Sequence, residues 1–319
     1  MGRRSTDVSA NRHETVQDLL PGLIDEREID WGDVASTSYL IRQRFRYEYP
    51  APIRNLRHRL IVIPPERHGG QRLVLDDVRV STEGEVRRSL DAFGNTVVGF
   101  TAARVGEQVE FEARVSIERS AAAGPTLLAP GWLTDGRLLE PTELTAPQAP
   151  LPDIAASIAG SGRRGLDLAR AVNEWAHGAL TYECGVTGIH TTAAQALALG
   201  AGVCQDYAHI MLAVCRVLGL SARYVSGHLL GEGGTHAWVE VLLPDPSGSG
   251  LAAAFPFDPT QGGGVGLRHM TIATGRDYSD VAPTSGTYWG EGGGILTASK
   301  RVDITSFEYA RQEASEAPG

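Results

Sequence analysis

The chain has 319 residues and a mass of 34.0 kDa, with 42% hydrophobic, 21% charged and 7% aromatic residues, which is the make-up of an ordinary folded protein and excludes a disordered, fibrous or membrane-embedded class. Its 29 Lys+Arg against 38 Asp+Glu leave a formal charge of −9, which argues against nucleic acid as a partner because phosphate contacts dominate such binding. Three cysteines are too few for a disulfide framework, so a reducing cytoplasm is expected, and one of them could be a nucleophile.

Residues 1–36 are polar and read as a tail with at most one short helix. No apolar core follows the start, so no signal peptide is expected. No apolar run reaches the ~20 residues of a bilayer span, so no membrane partner is expected either. Residues 37–120 read as a β-rich domain. Ile41 to Tyr49 nearly alternates apolar and polar residues. Leu60–Ile63, Leu73–Val80, Thr96–Phe100 and Val109–Ile117 are further strand candidates, and Asp91-Ala-Phe-Gly-Asn95 is a turn.

Residues 121–153 carry Pro125, Pro130, Pro141, Pro147, Pro150 and Pro152 and read as a linker. A helical pattern follows in the stretch 154–307, with apolar spacings of three and four from Leu166 to Ala179. A second helix is expected over Thr191–Leu199, stopped by Gly200 and Gly202, and a third from Cys204 to Leu218, ending at Gly219. Strands are expected at Ala222–Leu230, His236–Leu243, Phe255–Asp258 and Ala298–Phe307. Residues 308–319 read as a disordered tail.

Three residues in the second half carry candidate chemistry. Cys204 follows a glycine-containing turn and opens a helix. There the positive end of the helix dipole favours a thiolate, and unpaired backbone N–H groups could hold an oxyanion. Taken by type alone it is a small buried hydrophobe. His236 starts a strand after a glycine loop, where an imidazole is held rigidly, as a general base needs. On a period of two it shares a face with Trp238 and Glu240, opposite Ala237, Val239 and Val241. Asp258 ends a strand before a proline and could accept the second imidazole N–H; alone it is a turn residue.

In this order the segments match a known pattern. They are His-Thr-Thr-Ala-Ala-Gln-Ala-Leu-Ala-Leu-Gly from His190, Gly-Val-Cys-Gln-Asp-Tyr-Ala-His from Gly202, Ala-Arg-Tyr-Val-Ser-Gly from Ala222, Thr-His-Ala-Trp-Val-Glu-Val from Thr235 and Phe-Asp-Pro-Thr from Phe257. This stretch resembles the transglutaminase-like superfamily of papain-type cysteine enzymes. The segment from His269 to Pro283 is similar to its bacterial branch, and residues 39–117, with Tyr47-Glu-Tyr-Pro50, resemble that branch's N-terminal β domain.

The resemblance implies an α+β fold: a papain-like catalytic domain after a β-rich N-terminal domain. It also implies a Cys204–His236–Asp258 triad acting on a peptide or protein amide through a thioester, with no cofactor. Water as acceptor makes a hydrolase, an amine makes an acyltransferase, and a silent binding or scaffold protein is the third reading. Tyr182 is the candidate for a second oxyanion donor. Cys215 lies on the apolar helix face and reads as packing. Cys184 stands where similar sequences have proline, and reads as either an inert loop residue or a thiol near the site. His190 and His209 invite a metal reading with His236, but no Cys/His ligand spacing or calcium-type acidic loop occurs, so no metal is expected. Oligomeric state is not legible.

Overall fold

The computed structural model describes residues 4–5 and 24–310. The first half is a sandwich of two antiparallel sheets, built on β1 (Val34–Glu48), β2 (Ile53–Ile63), β3 (Gln71–Val80), β4 (Glu85–Leu90), β5 (Thr96–Val105) and β6 (Gln108–Ser120). In β1 the expected alternation is carried through: Ile41, Gln43, Phe45 and Tyr47 are buried, while Arg44 and Arg46 face out. The inner faces meet over Phe45, Tyr47, Leu56, Leu60, Phe100 and Phe111.

The second half packs helices on a sheet. Its helices are α1 (Leu151–Ala159), α2 (Gly165–Ala179), α3 (Ala193–Leu199) and α4 (Cys204–Val217). Its strands are β7 (Ala222–Leu229), β8 (His236–Pro244), β9 (Ala252–Asp258) and β10 (His269–Gly275), in the antiparallel order β9-β8-β7-β10. Thr192 caps α3 through a reciprocal pair with Gln195. Helix α4 is the hub: every residue from Cys204 to Arg216 is buried, and Ala237, Val239 and Val241 of β8 lie in the same apolar core. Gly219, in the left-handed region at φ +70°, follows its end.

The α+β class expected from sequence is what the chain adopts. Two expectations on segment limits are corrected. The stretch 154–307 does not stay in one unit, because β11 (Thr284–Trp289) pairs with β2 and β12 (Ile295–Tyr309) pairs along the whole of β1. A long antiparallel neighbour satisfies the edge of β1, which would otherwise expose a row of unpaired N–H and C=O groups. This pairing also takes residues 308–309 out of the expected tail, whose residues 311–319 lie outside the described ones. The expected linker is structured: Thr126–Leu128 pairs with β9, and α1 starts within it at Leu151. Of the expected N-terminal tail, residues 1–3 and 6–23 lie outside the described residues.

Several buried polar contacts join the halves, among them one centred on Glu240. Glu240 of β8 is buried. One of its oxygens lies 2.6 Å from His68 Nε2 of the sandwich, and the other accepts from Arg223 Nε at 2.7 Å. No helix among the described residues is long and apolar enough to cross a membrane.

Candidate active site

Cys204 is the first residue of α4, and the approach to it is built by Asp206. One carboxylate oxygen of Asp206 accepts from the Val203 N–H at 2.8 Å and from the Thr187 hydroxyl at 2.7 Å. A backbone donor ahead of the helix is thereby satisfied by an acid in its first turn. Burial raises the Asp206 pKa, against the pull of those donors. Gly202 has no room for a side chain, since a Cβ there would stand 2.6 Å from Asp206 Oδ2. Glycine is therefore what lets the strand Ala201–Gly202 run into the helix start.

His236 opens β8 with its side chain buried. Its Nε2 lies 2.7 Å from Asp258 Oδ2, and Nδ1 lies 3.1 Å from Glu232 Oε2. The thiol of Cys204 contacts the same ring and lies 3.8 Å from the Thr235 carbonyl oxygen. Burial alone would lower the His236 pKa. Bonding to Asp258, Cys204 and Glu232 outweighs it and pushes the group up to about 12. These partners favour the cationic ring.

Asp258 is saturated. Its Oδ1 accepts from the backbone N–H groups of Thr260 at 2.9 Å and Gln261 at 3.2 Å. Its Oδ2 meets His236 and also His269 Nε2, the latter at 3.0 Å. Burial would raise its pKa, but the two imidazoles hold it well below the usual carboxylate range. The three sequence-predicted residues therefore meet in one place, from a helix start, a strand start and a strand end.

The other candidates fall around them. Strand Thr181–Tyr182 pairs parallel with Ala201–Gly202, which sets Tyr182 opposite Gly202. Its half-exposed ring stacks on Tyr207 at 6.5 Å. Burial raises its hydroxyl pKa, and the charges of Cys204, Glu232 and Cys184 add to the effect. Tyr182 thus keeps its proton beside the thiol. Cys184 is exposed and touches Tyr182, so it belongs to the rim of the site. Cys215 is fully buried, and burial pushes its thiol up to about 12. His209 is buried and accepts from the Tyr278 N–H at 3.3 Å; burial takes its pKa down to about 4.

Three residues at the site carry no strong sequence signal. His269 comes from β10, which pairs with β7 rather than with a sequence neighbour. Glu232 rides the glycine loop ahead of β8. Lys300, the sole lysine, reaches in from β12 and donates to the Gly234 carbonyl. Burial lowers its pKa to about 8, although Glu232 and Cys204 pull the other way. Ligand atoms of His236, Asp258 and His269 lie within 4.8 Å of one another, which is the group that could hold a cation; His190 and His209 do not join it. The 2.7 and 3.0 Å separations are hydrogen-bond distances, and a cation at about 2.0–2.2 Å from each ligand would have to displace both protons.

The transglutaminase-like superfamily pattern matches residues 152–249, which hold Cys204 and His236 but stop short of Asp258. The bacterial transglutaminase-like N-terminal region matches residues 39–118. An uncharacterized protein of Mycobacterium leprae is 37% identical over 132 residues, 38% of this chain and 44% of that protein. An uncharacterized protein of Mycobacterium bovis is 31% identical over 212 residues, 56% of this chain and 66% of that protein. The chain therefore spans less than two thirds of the length of these curated relatives. A crystal structure of a candidate cysteine protease from Cytophaga hutchinsonii is similar in fold, with a TM-score of 0.68 at 20% identity, over 86% of this chain and 93% of that one.

Proposed function

This chain belongs to the transglutaminase-like superfamily, and from that premise we propose that it is a cysteine-dependent amide hydrolase working through Cys204, His236 and Asp258. The observation that carries the reading is the convergence of the three side chains: His236 Nε2 lies 2.7 Å from a saturated Asp258, and the same ring meets the Cys204 thiol at a helix start. The sulfur of Cys204 attacks the amide carbon. The new S–C bond puts negative charge on the oxygen, which the first N–H groups of α4 can receive, with the Tyr182 hydroxyl as second donor. His236 gives its proton to the amine as the C–N bond breaks. Water then cleaves the thioester, yielding the acid and the free thiol. Asp258 stays ionised throughout and keeps the ring in place.

The substrate class is a peptide or protein amide, with no cofactor, nucleic acid or membrane involved. The cytoplasm fits best, because a reducing compartment keeps such a thiol active, and Cys184, Cys204 and Cys215 are all unpaired.

Amine transfer is the second reading, and one observation favours it. Glu232, a third exposed, sets a negative charge beside Nδ1 of His236, where a cationic acceptor amine would be attracted. The test is incubation with a peptide library, with and without a primary amine, alongside Cys204→Ala. Hydrolysis without amine, lost in Cys204→Ala, is expected. Product formed only with amine would replace hydrolysis by transfer. Turnover kept by Cys204→Ala would discard both.

A further inference from the structure

Asp258 is shared between two imidazoles, and the second has no role in the chemistry above. His269 is buried on β10, its Nε2 3.0 Å from Asp258 Oδ2. Its other nitrogen, Nδ1, accepts from the Gly266 N–H at 3.3 Å. A nitrogen that accepts a hydrogen bond carries no proton, so the proton of the neutral ring sits on Nε2 and points at Asp258. The tautomer is fixed by a backbone group. Trp238 meets this ring edge-on at 5.4 Å, which limits its rotation.

The consequence concerns the oxygen that His236 uses. An unassisted carboxylate can rotate about its last bond and offer either oxygen. Here Oδ1 is held by two backbone donors and Oδ2 by His269, so the carboxylate has one orientation before His236 is considered. A second donor on Oδ2 also spreads the negative charge, so the proton between His236 and Asp258 stays on the nitrogen. Two cationic imidazoles could not share that oxygen without repulsion. Burial lowers the His269 pKa against the pull of Asp258, and the Gly266 N–H on Nδ1 suits the neutral ring, which leaves the cation to His236.

We propose that His269 is a positioning residue of this site: as a fixed Nε2–H donor it clamps Asp258 and so sets the orientation of His236 toward Cys204. The proposal rests on the Cys204–His236–Asp258 reading. It assigns His269 no contact with substrate.

The test uses the full chain and needs no substrate. Iodoacetamide alkylation of Cys204 is followed by mass spectrometry from pH 5 to 9 in wild type, His269→Leu and His269→Gln. The Gln side chain can present an amide N–H where Nε2 stood. Loss of the outer partner of a metal-bound side chain costs about 10- to 100-fold, and an effect of that order is expected for this partner of the Asp258 carboxylate. Alkylation near pH 6 is expected to slow at least tenfold in His269→Leu and to recover most of that in His269→Gln, with thermal unfolding of the two variants alike. For any peptide the wild type turns over, the loss should fall on kcat and leave KM near its starting value. His269→Leu within twofold of wild type would overturn the proposal, as would equal loss in both variants at equal thermal stability. If the wild type showed no preference for Cys204 over Cys215, the functional reading would fail and this proposal with it. Preference for Cys204 in the wild type, with a Cys204 rate that His269→Leu leaves within twofold, defeats this proposal alone.

Discussion

The carboxylate of Glu232 stands 3.1 Å from Nδ1 of His236, on the ring nitrogen that Asp258 does not use. It is one of three groups that favour the cation, after Asp258 and Cys204. Removing its charge should therefore weaken the imidazolium. A general acid that loses its proton more easily is spent at lower pH. Glu232→Gln is expected to move the alkaline limb of the kcat profile to lower pH, with the acid limb little changed. A profile that superimposes on wild type would show that Glu232 exerts no hold on the ring.

Cys204 and Cys215 lie on one helix eleven residues apart, yet their surroundings differ. Cys204 is 8% exposed, at the helix start beside the imidazolium. Cys215 is wholly enclosed, and burial pushes its thiol up to about 12. Iodoacetamide near neutral pH should modify Cys204 well ahead of Cys215, which mass spectrometry of the digested protein can resolve. Equal rates, or a faster Cys215, would discard the activated thiol. Cys184 is exposed and provides an internal reference for an ordinary accessible cysteine.

The triad residues and their partners differ in how much local signal they carry. Cys204, His236 and Asp258 each sit at the end of a regular element, and element ends carry local signals: a glycine turn, a period of two, a proline. Their partners carry none. Glu232 looks like any loop acid. His269 reaches Asp258 because β10 pairs with β7, a choice made by the sheet and not by nearby residues. Lys300 belongs to a strand that crosses back to the sandwich after the catalytic half is complete. The strand Glu85–Leu90 is silent in the sequence for another reason: all six of its residues are exposed, so no face imposes an alternation. Helix α1 was hidden by the prolines around its start, which suit a first helical turn as well as a linker.

Gly202 tests whether the approach to the nucleophile is as tight as its contacts imply. A methyl group there would meet Asp206 at 2.6 Å from Oδ2 and 2.8 Å from Cβ. Asp206 cannot swing aside freely, because it holds the Val203 N–H and the Thr187 hydroxyl. Gly202→Ala is expected to cost about 1–3 kcal/mol by overpacking. It should also slow alkylation of Cys204, since the helix start must shift. Denaturant titration with a midpoint equal to wild type would show that the cap yields without strain.

Glu240 gives the fold its expected sensitivity to acid. Burial would raise its pKa, but His68 and Arg223 outweigh this and hold it down to about 2, against an ordinary 4.5. A depressed acid stabilises the folded state fully above its unfolded pKa and loses that contribution as pH falls through the folded one. The window is therefore pH 4.5 down to 2, and unfolding free energy should decline across it. Glu240→Gln should flatten part of that decline. Some slope must remain, because Asp258 is also held below its ordinary value and titrates in the same direction. At neutral pH the same variant leaves Arg223 buried without its counter-charge and should cost about 3–5 kcal/mol. Denaturant titrations at pH 7, 4.5 and 3 separate the two effects. An unchanged acid slope in Glu240→Gln would mean that the tie between the sandwich and β8 carries no linkage.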